Sequence, residues 1–337
     1  MPVTQRRVLG TDGPEVSAIG LGFMSFNRSS DDAEQRVASE LVAEAIDSGV
    51  TLFDTADVYG PEHSEILLGK AIAGRRDEVV IATKFANALD RDTNPNARDL
   101  DGRPEYVRTA IDVSLRRLGV DHVDLYYQHR VDPRVPIEET VGALKELVEA
   151  GKIGHIGLSE PGPDTLRRAH AIHPISAIQN EWSIFTRDIE SETLSVAREL
   201  GIGIVPFSPL GRGWLTGAIT SRGDVGERRG HHPRFADDVF DTNQALAAEV
   251  TSLAGDLGVR PGQVALAWLL SQGSDVVPIP GTRTLKYLRE NVEATSVVLE
   301  SDHLERLGRI AAQVTGERSI RPEHLGIEAP PLAATPA

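Results

Sequence analysis

Short apolar, β-branched runs ending in polar or glycine residues alternate along the chain with stretches whose apolar positions recur at helical spacing. That alternation is the signature of parallel β/α construction. Eight such runs stand out: "AIGLGFM", "VTLFDTA", "EVVIATKF", "VDLYYQH", "GHIGLSE", "SAIQNEW", "GIGIVPFSP" and "DVVPIPGT". Between them, segments such as "DDAEQRVASELVAEAIDSG" and "PIEETVGALKELVEAG" read as helices. A doubly wound sheet usually has fewer strands and carries a G-x-G-x-x-G turn entering its first helix, which "GTDGPEVSAIGLG" lacks. The pattern predicts an α/β protein built as a (β/α)8 TIM barrel.

Three segments fall outside the repeat. "RRVLGTDGPEVSAI" reads as two short strands around Asp12-Gly13, a β-hairpin plugging the barrel bottom, with a plain exposed turn as the alternative. The non-periodic stretch from Arg212 to Asp241 is the lid candidate, one of the long loops expected at the C-terminal face. After Gly316 the composition turns Pro/Ala-rich and too poor in apolar groups to order itself. The expected organisation is one barrel domain over residues 1–316 and a tail, 317–337, that is partly disordered and free to fold over the mouth. No internal repeat beyond the β/α alternation and no linker are evident.

Composition narrows the function. The 337 residues carry 35 Lys plus Arg against 50 Asp plus Glu, a net charge of -15, which repels a phosphate backbone and makes nucleic acid an unexpected partner. With no cysteine there is no disulfide, thiolate nucleophile or Cys-ligated metal. The chain lacks both a basic-then-apolar leader and an 18-residue apolar span, so the reading is a cytoplasmic protein with no membrane partner. Its histidines lack metal-site spacing: His231 and His232 are adjacent, and His63 stands alone. No metal is expected, and oligomeric state is not legible.

In a β/α barrel the active site lies at the carboxyl ends of the strands. Asp54 ends "TLFD", Tyr59 follows in "DTADVYG", Lys84 ends "VVIATK" and His129 ends "VDLYYQH", so all four would point into one mouth. Charged groups at the tips of apolar strands are costly unless paired, which suggests a local ion pair between Asp54 and Lys84. A free tyrosine, with pKa near 10, is a sluggish acid, and a neighbouring ammonium lowers that value. Lys84 would do the lowering, Asp54 would hold the lysine charged, and His129 would join the Tyr59 hydroxyl on a substrate carbonyl oxygen. That pocket suits reduction of C=O, with hydride arriving at carbon and a proton delivered to oxygen. Taken singly, each residue has a blander reading, as a loop aromatic, a structural ion pair or a rim histidine; their joint placement favours the site.

These contexts resemble the aldo-keto reductase superfamily, in its bacterial and plant branch. "GLGFM", "FDTADVYG", "ATKF", "DLYYQHRVD", "GLSE", "IQNEWS", "PFSPLGRGWLTG" and "IPGTRTLKYLREN" occur in the family's order and spacing. The resemblance implies NADPH-dependent reduction of small aldehydes and ketones on a (β/α)8 barrel, with Tyr59 as general acid/base and Asp54, Lys84 and His129 completing a tetrad. It further implies Ser159 and Gln179 on the nicotinamide carboxamide and Trp182 as the aromatic on the nicotinamide face. Ser208, Leu210, Gly211 and Arg212 would wrap the pyrophosphate, with Gly22, Met24 and Phe207 also at the cofactor. Gly281 and Thr282 would hold the adenosine end, with Glu290 and Asn291 at the adenine edge. Arg283 beside the ribose 2′ position favours NADPH over NADH, which stays open because Tyr287, beside Lys286, replaces a second arginine. Glu160 stands where asparagine is commoner. Arg228 and Arg229 read as a solvated charge run, with clamping of the cofactor phosphate as the alternative. Expected substrate-pocket residues are Phe23, Met24, Phe85, Arg130 and Trp214.

Two other functions fit the same barrel. One is a nucleotide-sensing regulatory subunit, which binds NADPH without turnover; the other is a Schiff-base aldolase using Lys84 as nucleophile.

Overall fold

The computed structural model describes residues 5–89 and 98–332. The chain opens with an antiparallel hairpin, β1 (Arg6–Val8) and β2 (Glu15–Ser17), paired Arg7 to Val16. At Gly13 a Cβ would lie 1.7 Å from the Leu9 carbonyl oxygen, so the turn can only be closed by glycine there. The hairpin's Leu9 and Val16 are buried in one cluster with Leu52, Ala82, Leu125, Tyr127, Ala177, Val205, Val277 and Ile279 from the barrel interior, which makes the hairpin a bottom plug as the sequence suggested.

Strand and helix then alternate: β3 (Leu21–Gly22), α1 (Asp32–Asp47), β4 (Leu52–Asp54), α2 (His63–Ala71) and β5 (Val80–Phe85). A small antiparallel hairpin that the apolar pattern did not announce, β6 (Asn87–Leu89) and β7 (Arg98–Leu100), follows before α3 (Pro104–Leu118). The alternation resumes with β8 (Val123–Gln128), α4 (Ile137–Glu149), β9 (Ile153–Ser159), α5 (Pro163–Ile172), β10 (Ala177–Glu181), α6 (Thr193–Glu199) and β11 (Gly203–Phe207). The lid candidate folds into short turns: a 3-10 turn at Gly211–Thr216, another at Arg222–Asp224, α7 (Glu227–Gly230) and a third 3-10 turn at Pro233–Phe235. Helices α8 (Phe240–Asp256), α9 (Pro261–Ser271), α10 (Leu285–Glu293) and α11 (Ser301–Ala311) complete the helical layer.

Local chemistry explains these elements. In α1 the Asp31 carboxylate accepts from the Ala33 and Glu34 backbone N–H groups, and Ala38, Leu41, Val42, Ala45 and Ile46 form its buried stripe. In α3 a proline occupies the first turn, and Gly119 ends the helix in the left-handed region.

The seven parallel strands run in the order β11-β10-β9-β8-β5-β4-β3. Residues 276–281 supply the eighth. Val277 and Ile279 donate to the Ile204 and Pro206 carbonyls, while the Pro278 and Pro280 carbonyls accept from Gly20 and Gly22, so this segment joins β11 to β3 and closes the barrel. Its two prolines have no N–H to give, which leaves the ladder with acceptors only on the β3 side.

The Pro/Ala-rich tail, read from composition as unable to order itself, is anchored through polar contacts along its described part. Glu328 accepts from the Asp164 and Thr165 N–H groups at 3.1 and 2.6 Å, capping the start of α5, and Arg168 donates to the Ala329 and Pro330 carbonyls. Composition could not reveal this because the anchoring groups lie on α5. Residues 333–337 of the expected tail lie outside the described residues.

Candidate active site

The ends of β4, β5 and β10 bring three polar side chains together. Lys84 Nζ donates to Asp54 Oδ1 at 2.5 Å and to the Thr55 carbonyl at 2.7 Å, while Gln179 Nε2 donates to Asp54 Oδ2 at 2.8 Å. Lys84, Asp54 and Gln179 are all buried. Tyr59 comes from the loop after β4, which is held by a Thr55–Ser64 hydroxyl pair at 2.7 Å and by Ser64 Oγ donating to the Phe23 carbonyl. The turn after it needs Gly60, at φ +59°, since a Cβ there would lie 2.1 Å from the Asn27 carbonyl oxygen. Lys84 Nζ lies 5.1 Å from the Tyr59 ring centre, near enough for its charge to act on the Tyr59 hydroxyl. The His129 ring meets the Tyr59 ring edge-on at 5.8 Å. All four strand-end candidates share one mouth.

Electrostatics within the group differ in one respect from the sequence reading. Burial raises the Tyr59 pKa, Lys84 pulls it down and Asp54 pushes it up, and the resultant stands above the ordinary tyrosine value. Desolvation outweighs the ammonium, so the phenol is held protonated instead of being drawn toward neutrality. Lys84 keeps its proton as well: burial opposes the charge, but Asp54 and Tyr59 together carry its pKa above the ordinary lysine value.

Ser159, at the end of β9, donates to the Gln179 carbonyl at 2.9 Å and accepts from Arg130 Nη1 at 2.9 Å, so the Ser159–Gln179 pair borders the tetrad. Glu160 is buried at φ +53°, and its carboxylate is gripped at both oxygens by Arg318 of the tail, at 2.8 and 2.7 Å. It also accepts from the Glu181 N–H at 2.9 Å. The acidic residue in place of asparagine is thus matched by an arginine far along the chain.

Several expected positions are corrected. Trp182 has 0% of its surface exposed; its indole N–H donates to Glu190, and its ring meets Trp268 edge-on, so it offers no open face to a cofactor. A partly exposed aromatic at this rim, besides Tyr59, is Phe207, which ends β11 with the Arg130 guanidinium 5.8 Å from its ring centre. Phe23 stacks on Phe26 and Phe85 on Tyr126 within the packed interior, so these two do not line a substrate pocket, while Trp214 stacks on Phe235 at the wall of a small cavity shared with Arg212 and Arg318. From that set Met24, 48% exposed, and Arg130 are accessible at the surface. Arg283 is engaged elsewhere: it donates to Glu34 at 2.7 Å, lies over Phe26 and is not among the residues lining the cleft beside the mouth.

Beside the mouth lies a cleft of about 510 Å³, the size of a cofactor slot. It is lined by the expected Leu210, Gly281, Thr282, Tyr287, Glu290 and Asn291. Arg229, Arg260, Gln263 and Lys286 also line it, and Arg260 and Gln263 were missed in the sequence. Their signal was the run Arg260-Pro261-Gly262-Gln263 opening α9, a proline-started helix whose first residues face the slot. Gly22 sits where β3 meets the eighth strand; a Cβ there would lie 2.8 Å from the Ile279 carbonyl oxygen. Ser208, Gly211 and Arg212 all take positive φ, which folds the loop after β11 tightly, but the Arg212 guanidinium points to Glu181 at 2.8 Å. Among the described lining residues, three cations against the single Glu290 carboxylate, with two amide side chains, fit a group carrying phosphates and an adenine edge. Among the described residues no cluster of His, Cys, Asp or Glu could hold a metal, and no helix is long and apolar enough to cross a membrane.

A closed β/α barrel with a Tyr–Lys–Asp–His mouth beside a cationic slot defines an oxidoreductase of the carbonyl-reducing class. The chain belongs to the aldo/keto reductase family, whose sequence model matches residues 18–312. It is 48% identical over 302 residues, 89% of this chain and 86% of the relative, to a Glycine max protein named probable aldo-keto reductase 1. Among solved structures it is similar to the glycerol dehydrogenase of Gluconobacter oxydans, with TM-score 0.82, 26% identity, 99% of this chain and 100% of that one covered. It is also similar to an aldo-keto reductase of Bacillus halodurans in its holo form, with TM-score 0.78, 25% identity and coverage of 95% and 99%.

Proposed function

We propose that the protein reduces aldehydes and ketones to alcohols with NADPH, Tyr59 acting as the general acid. The observation that carries this reading is the Lys84 ammonium, fixed in a buried site by Asp54 and the Thr55 carbonyl, standing 5.1 Å from the Tyr59 ring centre. A bound reduced nicotinamide supplies hydride to the carbonyl carbon. Tyr59 gives its proton to the carbonyl oxygen, His129 beside it orients that oxygen, and the Lys84 ammonium stabilises the phenolate left behind. Ser159 and Gln179 would hold the carboxamide, Phe207 would cover the ring, and the cleft between Leu210 and Asn291 would take the phosphates and adenine. Arg229, Arg260 and Lys286 support NADPH over NADH; Arg283 would first have to leave Glu34. The cytoplasm, a reducing compartment, suits a cysteine-free chain that needs no disulfide.

The same geometry weighs against the aldolase reading, because a Lys84 held protonated by a buried carboxylate has no lone pair with which to attack a carbonyl. A sensor without turnover has no use for a complete proton-delivery group. The test is Tyr59→Phe assayed with NADPH and a reactive aldehyde. Turnover is expected to fall by about 10²–10⁴-fold with NADPH affinity nearly unchanged; undiminished turnover would reject Tyr59 as the acid, and absence of turnover in the wild type across a broad carbonyl panel would favour the sensor.

A further inference from the structure

Arg130 follows His129 at the end of β8 and is partly exposed. Among the described residues only one of its nitrogens has a hydrogen-bond partner: Nη1 donates to the His129 carbonyl at 2.6 Å and to Ser159 Oγ at 2.9 Å. Both partners are uncharged. Among the described residues Arg130 makes no ion pair, and its Nε and Nη2 meet no hydrogen-bond acceptor. Glu160 is the carboxylate whose field acts on it most, yet both Glu160 oxygens are already committed to Arg318. The guanidinium stands close enough to Tyr59 for each to act on the other's ionisation, and it is not among the residues of the phosphate-end cleft. A cation in a mostly buried setting that lacks a counter-ion is costly, and a ligand bringing the missing negative charge removes that cost.

We propose that the substrate is a carbonyl compound bearing a carboxylate, bound on the free Nε/Nη2 edge of Arg130 while its C=O meets Tyr59. That edge presents two parallel N–H donors, the geometry a planar carboxylate accepts in bidentate fashion. The inference rests on the reductase reading. Hydride from the reduced nicotinamide forms the new C–H bond, the C=O π pair becomes an O–H bond with the Tyr59 proton, and the nicotinamide is oxidised. The carboxylate is unchanged and serves only to orient the carbonyl.

The test compares kcat/KM with NADPH for acids and their isosteric amides: pyruvate and pyruvamide, succinic semialdehyde and its amide, 4-formylbenzoate and 4-formylbenzamide. In the wild type at least one acid is expected to exceed its amide by about tenfold or more, mainly through KM. In Arg130→Gln that ratio is expected to fall to within about twofold, and Arg130→Lys, which keeps the charge but not the fork, to retain part of it. Equal or better use of every amide by the wild type, or a preference for the acid that survives in Arg130→Gln, would overturn the proposal while leaving the reductase reading intact. Absence of turnover with all six compounds would overturn that reading and this inference with it.

Discussion

The two sides of the barrel mouth are held by different means. On one, Asp54, Lys84 and Gln179 stand at the ends of three strands and lock onto one another within 2.5 to 2.8 Å. Sheet register fixes their relative heights: Asp54 sits opposite Ala82, and Lys84 opposite Tyr127. On the other, charge pairs between residues far apart in sequence hold loop, helix and tail segments together: Glu160 with Arg318, 158 positions apart, and Arg283 with Glu34, 249 apart. A site resting on strand ends inherits its geometry from the backbone ladder, whereas a site resting on loops must be assembled by electrostatics. Removing a single charge therefore disturbs the second side most.

The largest effect on that side is expected from Glu160→Asn. It leaves the buried Arg318 guanidinium with only Asp188 at 3.4 Å and Glu181 at 3.9 Å, so a loss of about 3 kcal/mol is expected. Glu160→Asn combined with Arg318→Gln should recover most of it. Thermal melts of the two single variants and the double check this; additive losses would show that the pair is not coupled. Next in size, Arg260→Ala or Lys286→Ala should weaken NADPH binding by roughly tenfold and NADH binding less, while Arg283→Ala should change NADPH affinity by less than about threefold. Titration of each variant with both nucleotides decides, and a dominant Arg283 effect would restore the motif-based assignment. Smallest is Asp31→Ala, which removes the cap of α1 and should lower the melting temperature only slightly. The Asp31 pKa is lowered by the N–H groups it caps, so its contribution is present above the ordinary carboxylate range and is lost as pH falls through the folded-state value. The difference in melting temperature between wild type and variant should accordingly close on acidification.

The same contrast explains what could be read from the chain. The barrel and the convergence of Asp54, Tyr59, Lys84 and His129 were legible because a strand's apolar run marks its own end, and barrel topology places all such ends together. The eighth strand was legible as "DVVPIPGT" although Pro278 and Pro280 deprive it of ordinary pairing. Roles that depended on which way a side chain turns were not legible. Trp182, Phe23, Phe85 and Trp214 carry no mark separating a core aromatic from a pocket aromatic, and Arg283 carries none naming Glu34 as its partner. The anchoring of the tail's described part was not legible for the same reason, since Glu328 and Arg318 find their partners at α5, Glu160 and β10 and not in neighbouring sequence.

The central claim is that a protonated Tyr59 phenol, tuned by Lys84, delivers the proton. The most direct test is the pH profile of reductive kcat/KM for the wild type and Lys84→Met. Because Tyr59 titrates above its ordinary value, the alkaline fall should begin only above about pH 10. Lys84 lowers the Tyr59 pKa more than Asp54 raises it, so in Lys84→Met the fall should move to still higher pH at a reduced maximum. An alkaline limb near neutrality in the wild type, or one that stays in place when Lys84 is removed, would contradict the account.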